Sequence, residues 1–97
     1  MKSLEFHPEA ETEFAEAVAF YQQARDGLGD DFFYEVWDSL WLVMEQPQLF
    51  PVMWNEYGKC VLGRFPFTIF FKNGQDRVVV VAIAHTSRDA GFWLNRK

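Results

Sequence analysis

Two hydrophobic periods run along this chain, and the switch between them divides it. Residues 4–7 show a short apolar alternation, Leu4-Glu5-Phe6-His7, which predicts a strand. Pro8 follows and suits the first position of a helix, with Glu9, Glu11 and Glu13 where the helix dipole favours negative charge. Ala10, Phe14, Ala17, Val18 and Tyr21 then recur at helical spacing and form one apolar stripe. Gly27-Leu28-Gly29 stops this helix, Gly27 being suited to a left-handed cap. A second helix is expected from near Asp30-Asp31, with Phe33, Val36, Trp37, Leu40, Val43 and Met44 as its stripe and Pro47 at its end. So short a connection predicts an antiparallel helical hairpin.

Residues 48–58 read as irregular and hold Phe50, Pro51, Trp54 and Tyr57. Beyond them the period becomes that of strands, over 59–65, 67–72 and 77–84. Pro66 separates the first two, and Asn73-Gly74 marks a hairpin before the third. The unbroken apolar run from Val78 to Ala84 predicts a central strand covered on much of both faces. The expected fold is α+β, in the order β-α-α-β-β-β, with the helical hairpin on one face of a mostly antiparallel sheet. Phe14, Val18, Tyr21, Phe33, Val36, Trp37 and Leu40 are expected to face the sheet and touch Val79, Val81 or Ile83. The other face would carry the basic side chains.

The length of 97 residues predicts a single domain over 1–97. At 49% apolar and 19% aromatic, the composition excludes an intrinsically disordered chain. No apolar run approaches the ~18 residues of a membrane span, and the opening Met-Lys-Ser-Leu-Glu-Phe-His lacks the apolar stretch of a signal peptide. The single cysteine, Cys60, excludes an internal disulfide and a cysteine-based zinc cluster. A cytoplasmic protein without membrane contact is expected.

Charge is divided unevenly. Residues 1–58 hold two basic and twelve acidic side chains, a balance of −10, and residues 59–97 hold seven basic and two acidic, a balance of +5. One acidic and one basic surface are expected, the basic one inviting an acidic peptide or a polyanion. The net charge of −5 argues against nucleic-acid binding by the chain alone.

Chemistry-bearing residues are few. Glu9, Glu11, Glu13 and Glu16 read as the solvated face of an amphipathic helix, and His7 as a cap or packing residue ahead of Pro8. His85 ends the apolar strand and begins His85-Thr86-Ser87-Arg88-Asp89. It reads either as a site residue or as a buried imidazole bonded to backbone. Cys60 reads as a small core residue. Arg64, beside Phe65-Pro66-Phe67, either pairs inward with an acid or lies on the open sheet face. Phe70 and Phe71 point to opposite faces, so at least one belongs to the core. No Gly-rich phosphate loop, metal-ligand spacing or nucleophile elbow occurs, so neither metal nor cofactor is expected.

Four stretches together resemble the RelE/ParE superfamily of type II toxin–antitoxin modules, in its ParE-like (plasmid-stabilisation) branch. They are Phe6-His7-Pro8-Glu9-Ala10-Glu11 with Tyr21; Gly27-Leu28-Gly29 with Phe32; Arg64-Phe65-Pro66-Phe67-Thr68-Ile69; and Val81-Ala82-Ile83-Ala84-His85 with Arg88-Asp89 and Phe92-Trp93. The resemblance implies the β-α-α-β-β-β fold and a growth inhibitor held inactive by a cognate antitoxin. It also implies DNA gyrase as the target of the ParE type, and ribosome-dependent messenger cleavage as the activity of the RelE type. Thr68 stands where nucleases often have arginine, Trp93 stands at the terminal aromatic, and Phe67 and Phe71 stand where tyrosine is frequent. These departures point away from an enzyme. An endoribonuclease would rest on Arg64, His85 and Arg88. Antitoxin binding is assigned to Lys59, Arg64, Lys72, Arg77 and Phe20, and target binding to Arg88, Phe92 and Trp93. Ala90 replaces a proline common in the family's final loop, which would leave that loop less rigid. A degenerate member that binds its antitoxin and inhibits little is the third reading.

Overall fold

The computed structural model describes residues 2–89 and 91–96. Ala90, and with it the expectation about the final loop, lies outside the described residues. Strand β1 (Ser3–Phe6) leads into helix α1 (Pro8–Ala24), and helix α2 (Leu28–Glu45) returns antiparallel to it. A 3-10 turn (Pro47–Leu49) and strands β2 (Val52–Trp54), β3 (Tyr57–Val61), β4 (Phe67–Asn73) and β5 (Arg77–His85) complete the order. The five strands form one sheet in the order β1-β5-β4-β3-β2, with only the β1–β5 pair parallel. The expected α+β architecture is present, with one short strand more than the sequence pattern predicts. β2 lies inside the segment read as irregular, and three residues are too few to display a period.

Local chemistry sets the helix ends. His7 caps α1, its Nδ1 accepting the Glu9 N–H at 3.1 Å. Gly27 adopts φ 88° between the helices, the left-handed region that glycine tolerates. Gly29 is buried where α2 meets α1, and a Cβ there would lie 2.6 Å from the Val18 carbonyl oxygen. This close approach sets the rotation of α2. With Gly29 inward, Phe32, Val36, Leu40 and Val43 follow at i+3, i+7, i+11 and i+14, and all four have no exposed surface.

That rotation corrects the expected stripe by one position. Phe32, not Phe33, enters the core, where it meets Phe65 edge-on at 5.1 Å and Tyr21 at 5.3 Å. Trp37, expected to be buried, is 38% exposed on the shoulder, its ring 5.7 Å from Phe6. The core between helices and sheet also takes Phe14, Ile69, Phe71, Val78, Val80 and Ile83.

A bulge in β5 decides which face each valine takes. Val80 pairs with Phe71 and Ala82 with Phe70, so Val81 is an extra residue opposite one step of β4. Alternation restarts after it. Val78, Val80 and Ile83 face the helices, whereas Val79 and Val81 belong to the other face, so of the three expected contacts only Ile83 lies in the helical core. β3 also ends at Val61, earlier than predicted. The Gly63 and Arg64 N–H groups are donated to the Glu35 carboxylate of α2, at 2.9 and 3.1 Å, instead of to a strand.

Candidate functional site

The sheet face turned away from the helices carries Tyr57, Lys59, Phe70, Lys72, Val79 and Val81. Cross-strand pairing sets Tyr57 beside Lys72, Lys59 beside Phe70, and Lys72 beside Val79. The face is not open along its whole length, because residues 91–96 cross it as a strap. Trp93, 2% exposed, stacks over Phe70 and Tyr57 at 5.2 Å and over Trp54 at 5.7 Å. Its indole Nε1 is buried without a hydrogen-bond partner. Trp93 therefore presents no indole face to a target in this arrangement; it seats the strap.

Arg96 fastens the end of the strap. Its guanidinium grips Glu13 in a two-point pair, at 2.9 and 2.7 Å, and donates to the Val81 carbonyl at 2.9 Å. Glu13 also accepts the Ile83 N–H at 3.0 Å. Hydrogen bonding to Glu13 raises the Arg96 pKa further, and burial works against this. Glu13 thus departs from the solvated-face expectation, while Glu9, Glu11 and Glu16 remain exposed as expected. The Glu13–Arg96 pair spans 83 positions of sequence, and no local signal announces it.

Arg88 and Phe92 join this cluster. The Arg88 guanidinium lies 3.7 Å from the Phe92 ring centre and 3.9 Å from a Glu13 oxygen. His85, exposed rather than buried, closes a local turn. Its Nδ1 accepts the Ser87 N–H at 3.1 Å and lies 2.8 Å from the Ser87 hydroxyl. Arg64 sits in the β3–β4 turn, 3.5 Å from Asp31 and with its side chain 63% exposed. It pairs with an acid of α2 without being buried. The three nuclease candidates therefore have separate partners, and among the described residues no hydrogen bond or ion pair joins Arg64 to His85 or Arg88. General acid–base work needs groups within hydrogen-bond reach of a shared reacting atom.

The residues assigned to antitoxin binding are spread over both halves of the molecule. Arg77 pairs with Glu5 at 3.1 Å, and Lys72 lies over the Tyr57 ring at 5.8 Å. Lys59 is half-buried on the same face. Phe20 is 66% exposed on α1, touching Tyr21 edge-on. Cys60 is buried in the helical core, and burial pushes its thiol up, away from the reactive thiolate. Among the described residues no cluster of His, Cys, Asp and Glu suited to a metal is present, and no helix is long and apolar enough to cross a membrane.

A helical hairpin on one face of a five-stranded sheet, with residues 91–96 strapped across the other, defines a small two-layer α+β domain. Residues 4–90 match the family model described as the ParE toxin of the type II toxin–antitoxin system, parDE, and the chain belongs to that family. Among solved structures the fold is similar to a chain of the "Chromosomal ParDE TA system from P. aeruginosa". The TM-score is 0.74 over 88% of this chain and 96% of that one, at 13% identity, a likeness of fold. No curated protein matches the chain in sequence.

Proposed function

We propose that this member of the ParE toxin family is a cytoplasmic growth inhibitor that acts by binding a protein target, DNA gyrase, and not by cleaving messenger RNA, and that a cognate antitoxin neutralises it. The observation that carries the reading is the strap. Trp93 roofs the centre of the sheet face, and Glu13 neutralises Arg96. Arg96 is thereby partnered, and although Tyr57, His7, Arg77 and Arg96 line one cavity beside the strap, both guanidiniums there are already paired, Arg77 with Glu5 and Arg96 with Glu13. Arg88 and Phe92, on the rim of the strap, are the residues proposed to meet the target. An acidic antitoxin segment is proposed to lie over Lys59, Lys72, Arg77 and Arg64, with an apolar part reaching Phe20.

Induced expression should arrest growth. Co-expression of the product of an adjacent small reading frame should restore it. The purified chain should inhibit supercoiling by gyrase and leave translating ribosomes without new messenger cuts. Codon-positioned cleavage that disappears in Arg64→Ala or Arg88→Ala would overturn the reading in favour of a nuclease. Unimpeded growth on induction would leave only an antitoxin-binding role.

A further inference from the structure

The strap is joined to the sheet by side chains. Its backbone turns back on itself. The Phe92, Leu94 and Arg96 N–H groups are donated to the Asp89, Gly91 and Trp93 carbonyls at 3.3, 3.1 and 3.0 Å, and the Gly91 N–H to the Asp89 carboxylate at 3.0 Å. Among the described residues no strap N–H is donated to a strand, so departure of the strap breaks no ladder of the sheet. Trp93 and Arg96 hold it, the first by burial and the second through Glu13 and the Val81 carbonyl. Leu94, between them, is 51% exposed.

Trp93 occupies a site that exists without it. Trp54 and Tyr57 pair across β2 and β3 and stack on each other at 4.8 Å. Phe70 is held in β4 between Lys59 of β3 and Ala82 of β5. The sheet itself therefore places these rings. The Trp93 indole lies on them as a ligand would, nearly parallel to Trp54 and close to Phe70 and Tyr57. Lys59 and Lys72 flank the site through their cross-strand pairing with Phe70 and Tyr57. Among the described residues neither lysine takes part in an ion pair.

The occupant fits badly at one atom. The indole Nε1 is buried with no acceptor, and an indole N–H can only donate. In water that N–H is hydrogen-bonded, and under the strap it is not. The penalty falls on the covered arrangement alone and offsets part of what burial of the ring contributes. The core between helices and sheet contains neither Trp93 nor Phe70, so it does not have to change when the strap leaves.

We propose that residues 91–96 form a gate over a site for a planar aromatic anion. In the closed state Trp93 fills the site. In the open state the hairpin and sheet stay folded and water satisfies the indole N–H. The ligand's ring then lies on Trp54, Tyr57 and Phe70, and its charge meets Lys59 and Lys72. The unpartnered N–H keeps the open state at about one chain in a hundred, within reach of a ligand that binds it alone. A ring that needs no acceptor at that point displaces the strap. The gate is a property of the chain itself, separate from its growth-inhibitor reading.

Two fluorescent probes with one ring system test the gate on the full chain: anilinonaphthalene sulfonate, an aromatic anion, and phenylnaphthylamine, which lacks the sulfonate. The sulfonate should bind the wild type weakly and shift the ring resonances of Tyr57 and Phe70. Trp93→Ala should bind it about thirtyfold or more tightly, because the competing ring is gone, while the Val36 and Leu40 amides keep their protection. Adding Lys59→Gln and Lys72→Gln to that variant should lower the sulfonate to the affinity of the uncharged probe. The decisive variant is Trp93→benzothienylalanine, which keeps the shape of the ring and puts sulfur in place of the N–H. It should close the gate and weaken the sulfonate about fivefold or more against the wild type, the factor for one unsatisfied buried donor. No gain in Trp93→Ala, equal binding of both probes to it, or shifts confined to Trp37 and Trp41 would overturn the proposal. So would a benzothienylalanine chain that binds like the wild type, or loss of protection at Val36 and Leu40 in Trp93→Ala.

Discussion

The helical hairpin and the C-terminal strap cover opposite faces of one sheet by unlike means. On the helical face, Phe32, Val36, Leu40 and Val43 of α2 and Ala10, Phe14 and Ala17 of α1 meet a continuous apolar layer, and many side chains share the burial. On the other face the cover is six residues long and is held by one indole and by Arg96, which binds Glu13, Glu9 and the Val81 carbonyl. Hydrophobic burial distributed over a layer is lost only cooperatively. A strap held at two points can leave while the layer stays intact. Arg88 and Phe92, the residues proposed to meet the target, lie on the rim of the second kind of cover, where detachment costs least.

The largest expected effect breaks the first cover. Phe32→Ala removes a ring with no exposed surface and should cost ~3–5 kcal/mol, the usual range for a buried aromatic. Chemical denaturation should show that loss with one transition, and all slowly exchanging amides should lose protection together. A change under about 1 kcal/mol would mean that the core refills around the site.

The next two expectations concern the strap. Glu13→Gln leaves the Arg96 guanidinium, 9% exposed, with only the exposed Glu9 carboxylate 3.8 Å away as counter-charge and should cost ~2–3 kcal/mol, the scale of a charge-assisted hydrogen-bonded pair. Trp93→Ala removes more contact area, yet also removes a buried N–H that has no partner. Its net cost should be ~2 kcal/mol, below the usual range for a buried tryptophan. In both variants hydrogen exchange should quicken in the strap and near Val81, while the Val36 and Leu40 amides keep their protection. Uniform loss of protection, as in Phe32→Ala, would make the two faces a single cooperative unit.

Trp37→Ala is a smaller and more pointed test, because it separates the sequence pattern from the packing. A fully buried tryptophan would cost several kcal/mol. A ring 38% exposed and resting on Phe6 should cost only ~1–2 kcal/mol. The reason lies in Gly29. The apolar positions of α2 cover so wide an arc, from Phe32 round to Trp41, that periodicity alone accepts more than one rotation. The tight approach of Gly29 to Val18, a tertiary fact, chooses among them. β5 shows the same limit in strand form. An unbroken run from Val78 to Ala84 offers no alternation by which to find the bulge at Val81, so the face of each valine was not legible. Helix existence, the hairpin, the Asn73-Gly74 turn and the His7 cap were legible, because each rests on residues within a few positions of one another. The Glu13–Arg96 clasp was not, because its partners sit at opposite ends of the chain.

Alkali should loosen the two covers at different points, and this is the smallest effect. Burial raises the Cys60 thiol above its ordinary 9.0, a Ser39 hydrogen bond opposing and the Glu35 charge assisting. Burial likewise raises Tyr21 above its ordinary 10.0. Both groups belong to the helical side of the sheet. Each is neutral when protonated, so the native state keeps its proton after the unfolded chain has lost it. Their contribution is present in full below the unfolded pKa and declines as pH rises from there to the folded value. Urea-derived stability should therefore be level up to about pH 9 and then fall, by less than ~1.4 kcal/mol per pH unit for one group. Cys60→Ala should remove the first part of that slope and Tyr21→Phe the part that begins a unit higher. The strap should not share in the decline. The raised Arg96 pKa follows the same sign rule, but its charge is lost only in strong alkali, so strap amides should hold while hairpin amides begin to exchange. An unchanged slope in Cys60→Ala would show that the thiol is hydrated in solution. Strap amides that open first would show that the clasp, and not the core, is the weaker alkaline element.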